Sequence, residues 1–372
     1  MSVLSTQGDI FMYFQGLNIG GFFSQVEEFS EEHLNTFITV DDIEIIKKWG
    51  FNFVRLPVDY FFFEKDENPY RYLEDRLKLI DRVVKWTHKK NIVFILDLHK
   101  APGHTFDVRE SENNDLWDKD SENRVRFLKI WEMFSKRYQT SNNIMYDIMN
   151  EPIAPEDSDW YELVEETIPI IRKNDSNNYI IVESNLWAQA STFKSMRKFT
   201  DEKIIYSFHF YEPHVITHQM AEWVPFVYNN IYRKYVKYPG RPEGLANVKE
   251  EVARVSPQFA LFFERQDIEW NKSELEKTIT PVLAFKEKYN VPILCGEFGC
   301  VVKADPETRK NWLTDVISIF QKHQISYTYW SYKNMDYGIY DFTEQYQDNS
   351  NYSKEERLDK ATLRALQSGI PD

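Results

Sequence analysis

At 372 residues and a formal net charge of −14, the chain is long enough for a sizeable core and too acidic for the clustered Lys and Arg that a phosphate backbone recruits. A hydrophobic fraction of 42% beside 28% charged residues fits a globular chain, and no apolar stretch approaches the ~20 residues of a membrane helix. Neither a nucleic acid nor a membrane is therefore an expected partner. With only 12 glycines there is no G-x-x-x-x-G-K-S/T and no G-x-G-x-x-G, so the common phosphate-cradling loops are absent and no nucleotide cofactor is expected.

Residues 1–14 have no basic start and no long apolar run, so no signal peptide is visible. The expected setting is cytoplasmic, with a trimmed secreted chain as the alternative. From there, short apolar runs alternate with longer amphipathic stretches. Strands are predicted at 14–20, 51–58, 91–99, 144–152, 179–185, 204–211, 292–299 and 326–332. Several are apolar throughout, as in Ile92-Val93-Phe94-Ile95-Leu96, which suits parallel strands covered on both faces. The helical period predicts helices at 72–90 (Leu73, Leu77, Ile80, Val84), 121–138, 159–172, 305–323 and 353–368. Asp305 followed by Pro306 reads as an N-cap with proline at the first helical position.

Eight alternations predict a (β/α)8 TIM barrel, residues 1–372 forming one catalytic domain. A doubly wound open sheet is the competitor, and the missing glycine-rich first turn counts against it. Residues 212–270 break the rhythm, being far longer than an ordinary βα connection. Trp223, Phe226, Tyr228, Tyr232, Tyr235 and Tyr238 lie there, so an ordered aromatic lid after the sixth strand is expected. Cys295 and Cys300 are five residues apart, a spacing that points side chains to opposite strand faces and disfavours a bridge.

In such a barrel, functional side chains come from the C-terminal ends of the strands. Those ends carry Asn18, Arg55, Asp97 with His99, Asn150 with Glu151, His209 with Tyr211, Glu297 and Trp330. Two carboxylates at one mouth are what glycoside hydrolysis requires, one protonated to donate to the leaving oxygen and one ionised to attack the anomeric carbon. Arg55 would keep Glu297 charged and Tyr211 would orient it, while Glu151 among aromatic walls would be pushed toward the higher pKa of a general acid. Asn150 is placed to donate to a sugar 2-hydroxyl. Taken singly, each residue has a plainer explanation, such as a helix cap, a structural ion pair, a core histidine or a core indole. Their joint placement is what argues for a site. His209, His214 and His218 invite a metal reading, but no H-E-x-x-H appears and no carboxylate has ligand spacing, so no metal is expected.

These residues resemble those of glycoside hydrolase family 5. The motifs stand as FNFVRLPV (Arg55), ILDLHKAPG (His99), YDIMNEP (Asn150, Glu151), SFHFYEP (His209, Tyr211), ILCGEFG (Glu297) and YTYWSYKN (Trp330), in the family's order over 14–341. The resemblance implies Glu151 as acid/base and Glu297 as nucleophile, with double displacement and retained configuration. It also implies a β-linked oligo- or polysaccharide substrate, Trp330 as the floor of the −1 subsite, and a cis peptide from Trp330 to Ser331. THQMAEW is similar to a motif of bacterial β-1,4-glucanases and suggests His218 and Trp223 as sugar contacts. Asn18 in GLNIGG is similar to a position near the −2 sugar. Two features depart from those glucanases: Lys100 stands where many carry a second His, and the stretch after Trp223 is longer than compact members of the family need. LHKAPG in turn resembles a stretch of exo-β-1,3-glucanases. A β-1,4-glucanase-like activity is the expectation, with exo-β-1,3-glucanase, β-mannanase and β-glucosidase as alternatives. The rival classes are a non-catalytic carbohydrate-binding barrel and an aldolase-like barrel, the latter needing a lysine inside a strand. The oligomeric state is not legible.

Overall fold

The computed structural model describes residues 13–106, 114–221, 236–242, 245, 265–340 and 353–370. Eight strands close into a barrel in sequence order. They are β1 Gln15–Asn18, β2 Phe53–Asp59, β3 Val93–Lys100, β4 Ile144–Asp147, β5 Tyr179–Glu183, β6 Ile204–Phe210, β7 Ile293–Phe298 and β8 Ser326–Tyr329. The pairs from β1–β2 through β5–β6 are parallel, with Asn18 opposite Arg55, Asp97 opposite Asp147 and Glu183 opposite Ser207. All eight predicted strands are present. The widest difference is at β4, which stops at Asp147 where the apolar run suggested 144–152. There Glu151 takes φ 47° and Pro152 follows, so the chain leaves the extended conformation.

The helices used below are α1 Val40–Lys48, α2 Glu74–Lys89, α3 Glu122–Tyr138, α4 Asp157–Asn174, α5 Lys272–Thr278, α6 Thr280–Tyr289, α7 Pro306–Lys322 and α8 Lys360–Gln367. Asp305 caps α7 through the Thr308 N–H, and Ser121 caps α3. The sequence reading had not separated α1, α5 or α6. The last helix is shorter than expected because 353–359 forms turns up to the Asp359 cap. No described helix is long and apolar enough to cross a membrane.

The chain forms two compact units: Met1–His209 with Pro281–Glu297 and Ser326–Thr328, and Phe210–Thr280 with Phe298–Ile325 and Tyr329–Asp372. In the first, Phe14, Phe53, Val93, Ile95, Met145, Ile181, Ile205 and Leu294 make one buried apolar cluster. Gly16 lets it form, since a Cβ there would sit 2.3 Å from the Phe53 carbonyl oxygen. Two residues further along, six of these positions turn polar or open: Phe53 gives way to Arg55, Ile95 to Asp97, Met145 to Asp147, Ile181 to Glu183, Ile205 to Ser207 and Leu294 to Gly296. The two-residue period of a strand keeps each pair on one face. An apolar layer thus carries a polar one above it.

In the second unit Phe210 stacks with Trp312, whose indole N–H donates to the Glu212 carbonyl at 2.9 Å. Buried Arg309 donates to the Cys300 and Tyr337 carbonyls and to the Tyr329 hydroxyl. Most of the expected lid, including Trp223, Phe226, Tyr228, Tyr232 and Tyr235, lies outside the described residues. Gly240 and Trp270 exchange two backbone hydrogen bonds of 2.9 Å. Tyr238, the described tyrosine of the expected lid, is buried, and its hydroxyl donates to Asp315 at 2.6 Å. Both cysteines are buried thiols, and neither is in a disulfide.

Candidate active site

Arg55 organises the polar layer. Its side chain is fully buried, and every nitrogen has partners: Nε donates to Asp147 at 2.8 Å, and Nη1 to Glu297 at 2.7 Å and Asn18 at 3.1 Å. Nη2 faces Asn150 at 2.9 Å and Glu183 and Asp97 at 3.1 Å. One guanidinium cannot offset four buried carboxylates in a dry interior. Burial, with Glu183 adding to it, accordingly pushes the Asp97 and Asp147 carboxyls well above their ordinary range despite Arg55. Each also keeps one oxygen, Oδ1, without a hydrogen-bond partner among the described residues.

His209 lies on the other side of this cluster. Nδ1 is 2.9 Å from Glu151 Oε1 and 3.7 Å from Glu297 Oε2, and Nε2 is 3.0 Å from Glu183 Oε1. Burial opposes its charge, but Glu183 and Glu297 outweigh burial and raise the imidazole well above its usual value. Glu151 sits on the turn beyond β4, and its N–H donates to Glu183 Oε2 at 2.7 Å. Burial raises the Glu151 carboxyl to about 7, with His209 opposing. One oxygen each of Glu151 and Glu297 and one ring nitrogen of His209 all lie within 4.8 Å of one another. Three such atoms could also hold a cation, but Arg55 occupies Glu297 Oε1 and His209 already bonds Glu151. The arrangement therefore reads as a proton-transfer group.

His99 Nδ1 lies 2.8 Å from Asp97 Oδ2, and burial drives the pKa of the imidazole down to about 3, so it is a neutral ring. Lys100 lies 6.0 and 5.9 Å from the ring centres of Phe61 and Phe106, a cation between aromatic faces. Asn150 accepts from Arg55 through its carbonyl oxygen, which leaves the amide N–H groups at the other end of the side chain. Asn18 has no exposed surface, and its amide donates to the Gly296 and Thr328 carbonyls at 3.0 and 3.3 Å. Its place is behind Arg55, as a tie between strands, which revises the expectation of a sugar contact.

Within the second unit, Tyr211, His218 and Tyr337 form an aromatic cluster with ring centres 5.1–5.8 Å apart. The Thr217 hydroxyl donates to the Tyr211 carbonyl, so it accepts from His218 Nδ1 at 2.9 Å and leaves Nε2 as the acceptor. Trp330 is 5% exposed, its N–H bonds the Phe298 carbonyl at 2.9 Å, and its peptide to Ser331 is cis, as the resemblance implied. A Cβ at Gly299 would come within 2.6 Å of the Trp330 carbonyl oxygen, so glycine is required there. Trp223 lies outside the described residues.

Three groups escaped the sequence reading. Asp147 and Glu183 follow Met145 and Ile181 by two positions in strands that otherwise read as apolar, and that alternation was the available signal. Among the eight apolar runs the fifth alone yields no site candidate from its end. Trp187, 37% exposed, lies in a loop where Leu186, Trp187 and Ala188 have φ of 53°, 59° and 53°. Its backbone N–H donates to the Pro152 carbonyl at 3.3 Å, one residue from Glu151.

The model of the Cellulase family (glycosyl hydrolase family 5) matches residues 17–336. Endoglucanase C of Acetivibrio thermocellus is 37% identical over 326 residues, 87% of this chain and 92% of that protein. Cellodextrinase A of Ruminococcus flavefaciens is 29% identical over 84% of this chain and 83% of its own length. Among solved structures, endoglucanase Cel5A from Thermotoga maritima aligns with a TM-score of 0.70 at 25% identity, covering 95% of this chain and 96% of its own. The barrel, the paired carboxylates and these likenesses agree: the chain belongs to glycosyl hydrolase family 5 and is an O-glycosyl hydrolase.

Proposed function

We propose that the chain cleaves β-1,4-linked glucan or its oligosaccharides by a retaining double displacement, with Glu297 as nucleophile and Glu151 as acid/base. The observation that carries this reading is the asymmetry of the two carboxyls. Burial holds Glu151 at about 7, whereas Glu297 is ion-paired with Arg55 at 2.7 Å. Two carboxyls set in different environments are the requirement for acid and nucleophile on one scaffold. Their oxygens approach within 4.8 Å, on the side of the roughly 5–5.5 Å retaining spacing rather than the roughly 6.5–9.5 Å inverting one.

In the first step Glu297 attacks the anomeric carbon, the glycosidic C–O bond breaks, and Glu151 gives its proton to the departing oxygen. Glu151, now ionised, then takes a proton from water as that water displaces Glu297 and restores the β configuration. Asn150 would donate to the 2-hydroxyl, and His99 would bind at the same sugar. Trp330, Tyr211, His218 and Trp223 are proposed as substrate contacts, and Trp187 as a face for the leaving side. The substrate class is supported by the named activities of Endoglucanase C and Cellodextrinase A.

The test is Glu297→Ala assayed on an activated aryl β-cellobioside. Turnover should fall by about 10⁴-fold or more and return with azide, giving a glycosyl azide of inverted configuration. In the wild type, kcat/KM should decline as pH rises through about 7, where Glu151 loses its proton. Full residual activity in the variant, or an α-configured first product from the wild type, would end the retaining reading.

A further inference from the structure

Glu183 has no part in the double displacement, yet both of its oxygens are engaged at the site. It closes β5 and is wholly buried. Oε1 accepts from Arg55 Nη2 at 3.1 Å and faces His209 Nε2 at 3.0 Å, while Oε2 accepts the Glu151 N–H at 2.7 Å. Its own backbone is fixed as well. Its carbonyl accepts from the Trp160 indole at 2.8 Å, and the next N–H bonds Ser207 at 2.9 Å. One rigid carboxylate thus touches the arginine that pairs with Glu297, the histidine that bonds Glu151, and the main chain of Glu151.

The geometry points to Glu183 as the positioning residue for proton transfer: by holding a hydrogen on His209 Nε2 it makes Nδ1 the exchanging nitrogen, so that Glu151 and His209 keep one proton between them. The inference rests on the retaining reading above. An ionised carboxylate only accepts, so the Nε2 facing Glu183 carries a hydrogen. Nδ1 is then either protonated, donating to Glu151, or bare, accepting from a protonated Glu151. Across 2.9 Å these two states are one proton moved between two atoms, and they titrate as a pair. The bond from Oε2 to the Glu151 N–H anchors a residue held at φ 47°, a conformation that non-glycine residues adopt only under constraint. Positioning and tautomer control therefore come from the two oxygens of one side chain.

Charged and titratable groups from five neighbouring strands stand around the pair, directly or through Arg55 and Glu183. These are Arg55 from β2, Asp97 and His99 from β3, Asp147 from β4, Glu183 from β5 and Glu297 from β7. His104 Nε2 lies 3.3 Å from the Glu151 carbonyl. Removing one negative charge from this set lowers the proton affinity of the pair, whichever atom holds the proton. A neutral amide at 183 can also donate to His209 Nε2, which moves the ring hydrogen to Nδ1 and favours ionised Glu151.

The experiment compares Glu183→Gln with wild type on two β-cellobiosides. One has a poor leaving group that needs protonation, and the other is a 2,4-dinitrophenyl glycoside that does not. For the poor leaving group, kcat/KM should fall by about 10²-fold or more, the span assigned to general acid catalysis. The dinitrophenyl substrate should change little, and the alkaline limb of the pH profile should move down by about one unit. Equal losses on both substrates with an unmoved limb would overturn the inference and leave Glu183 a structural residue. Should the variant not fold, the imidazole ¹⁵N shifts of His209 in the wild-type enzyme decide. Nε2 protonated throughout with Nδ1 titrating supports the inference; the reverse tautomer refutes it. A wild type inert toward both glycosides would instead count against the retaining reading itself, with the tautomer still answering for Glu183.

Discussion

The two layers inside the barrel are equally dry and behave as different materials. In the lower one, Phe53, Ile95, Met145, Ile181, Ile205 and Leu294 pack with exposures of 0–3%. Two residues on, about 6.5 Å at a strand's rise, Arg55, Asp97, Asp147, Glu183 and Ser207 are each fully buried as well. Burial in the lower layer is itself the stabilising term, non-directional and worth about 25 cal/mol per Å² of apolar surface. Burial in the upper layer is a cost, offset only while donors and acceptors match. The lower layer should therefore report on stability alone, and the upper on stability and chemistry together.

Arg55→Met is the largest break in this contrast. It removes all the guanidinium donors and strands Asp97, Asp147, Glu183 and Glu297 together. Losing one partner of a buried ionic group costs about 3–5 kcal/mol, and here hydrolysis should be lost with it. Urea unfolding and kcat measured side by side give the result; unchanged stability would mean that Arg55 does not hold the layer. Ile95→Ala, two positions below Asp97, should cost about 3 kcal/mol as a cavity. The fraction that remains folded should keep its kcat. A fall in kcat as large as that in stability would show that the lower layer sets the geometry above it.

The same contrast explains what the sequence made legible. The eight strands were readable because their lower and outer positions are apolar runs, and the catalytic candidates because they end those runs. Asp147 and Glu183 were harder to find because each is a single acid on an inward-facing position, and its partner Arg55 lies 92 or 128 residues away in the chain. A buried charge is marked by what surrounds it, which one strand does not reveal. The place of Asn18 is hidden for the same reason, since it is set by Arg55, Gly296 and Thr328. Glu151 reads as the end of a strand because no Gly or Pro interrupts IMYDIMNE before Pro152. Its left-handed φ arises from the turn and from the bond to Glu183, neither of which composition encodes.

The subtlest test of the upper layer is Gly296→Ala, which adds one methyl and no charge. A Cβ there would lie 2.9 Å from the Ser207 hydroxyl, 3.2 Å from His209 Nε2 and 3.4 Å from its Cδ2. Ser207 can turn away, since its hydroxyl has no hydrogen-bond partner among the described residues. His209 cannot turn freely, because Glu151 and Glu183 hold both ring nitrogens. Overpacking of this size costs about 1–2 kcal/mol, while a displaced ring at a proton-transfer site can lower kcat by up to about 10²-fold. Adding Ser207→Ala removes the shorter contact and leaves the one to His209. The double variant should regain most of the stability and little of the kcat. If the two recover together, the methyl acted through Ser207 alone, and the ring's position tolerates more than a layer held by matched donors and acceptors allows.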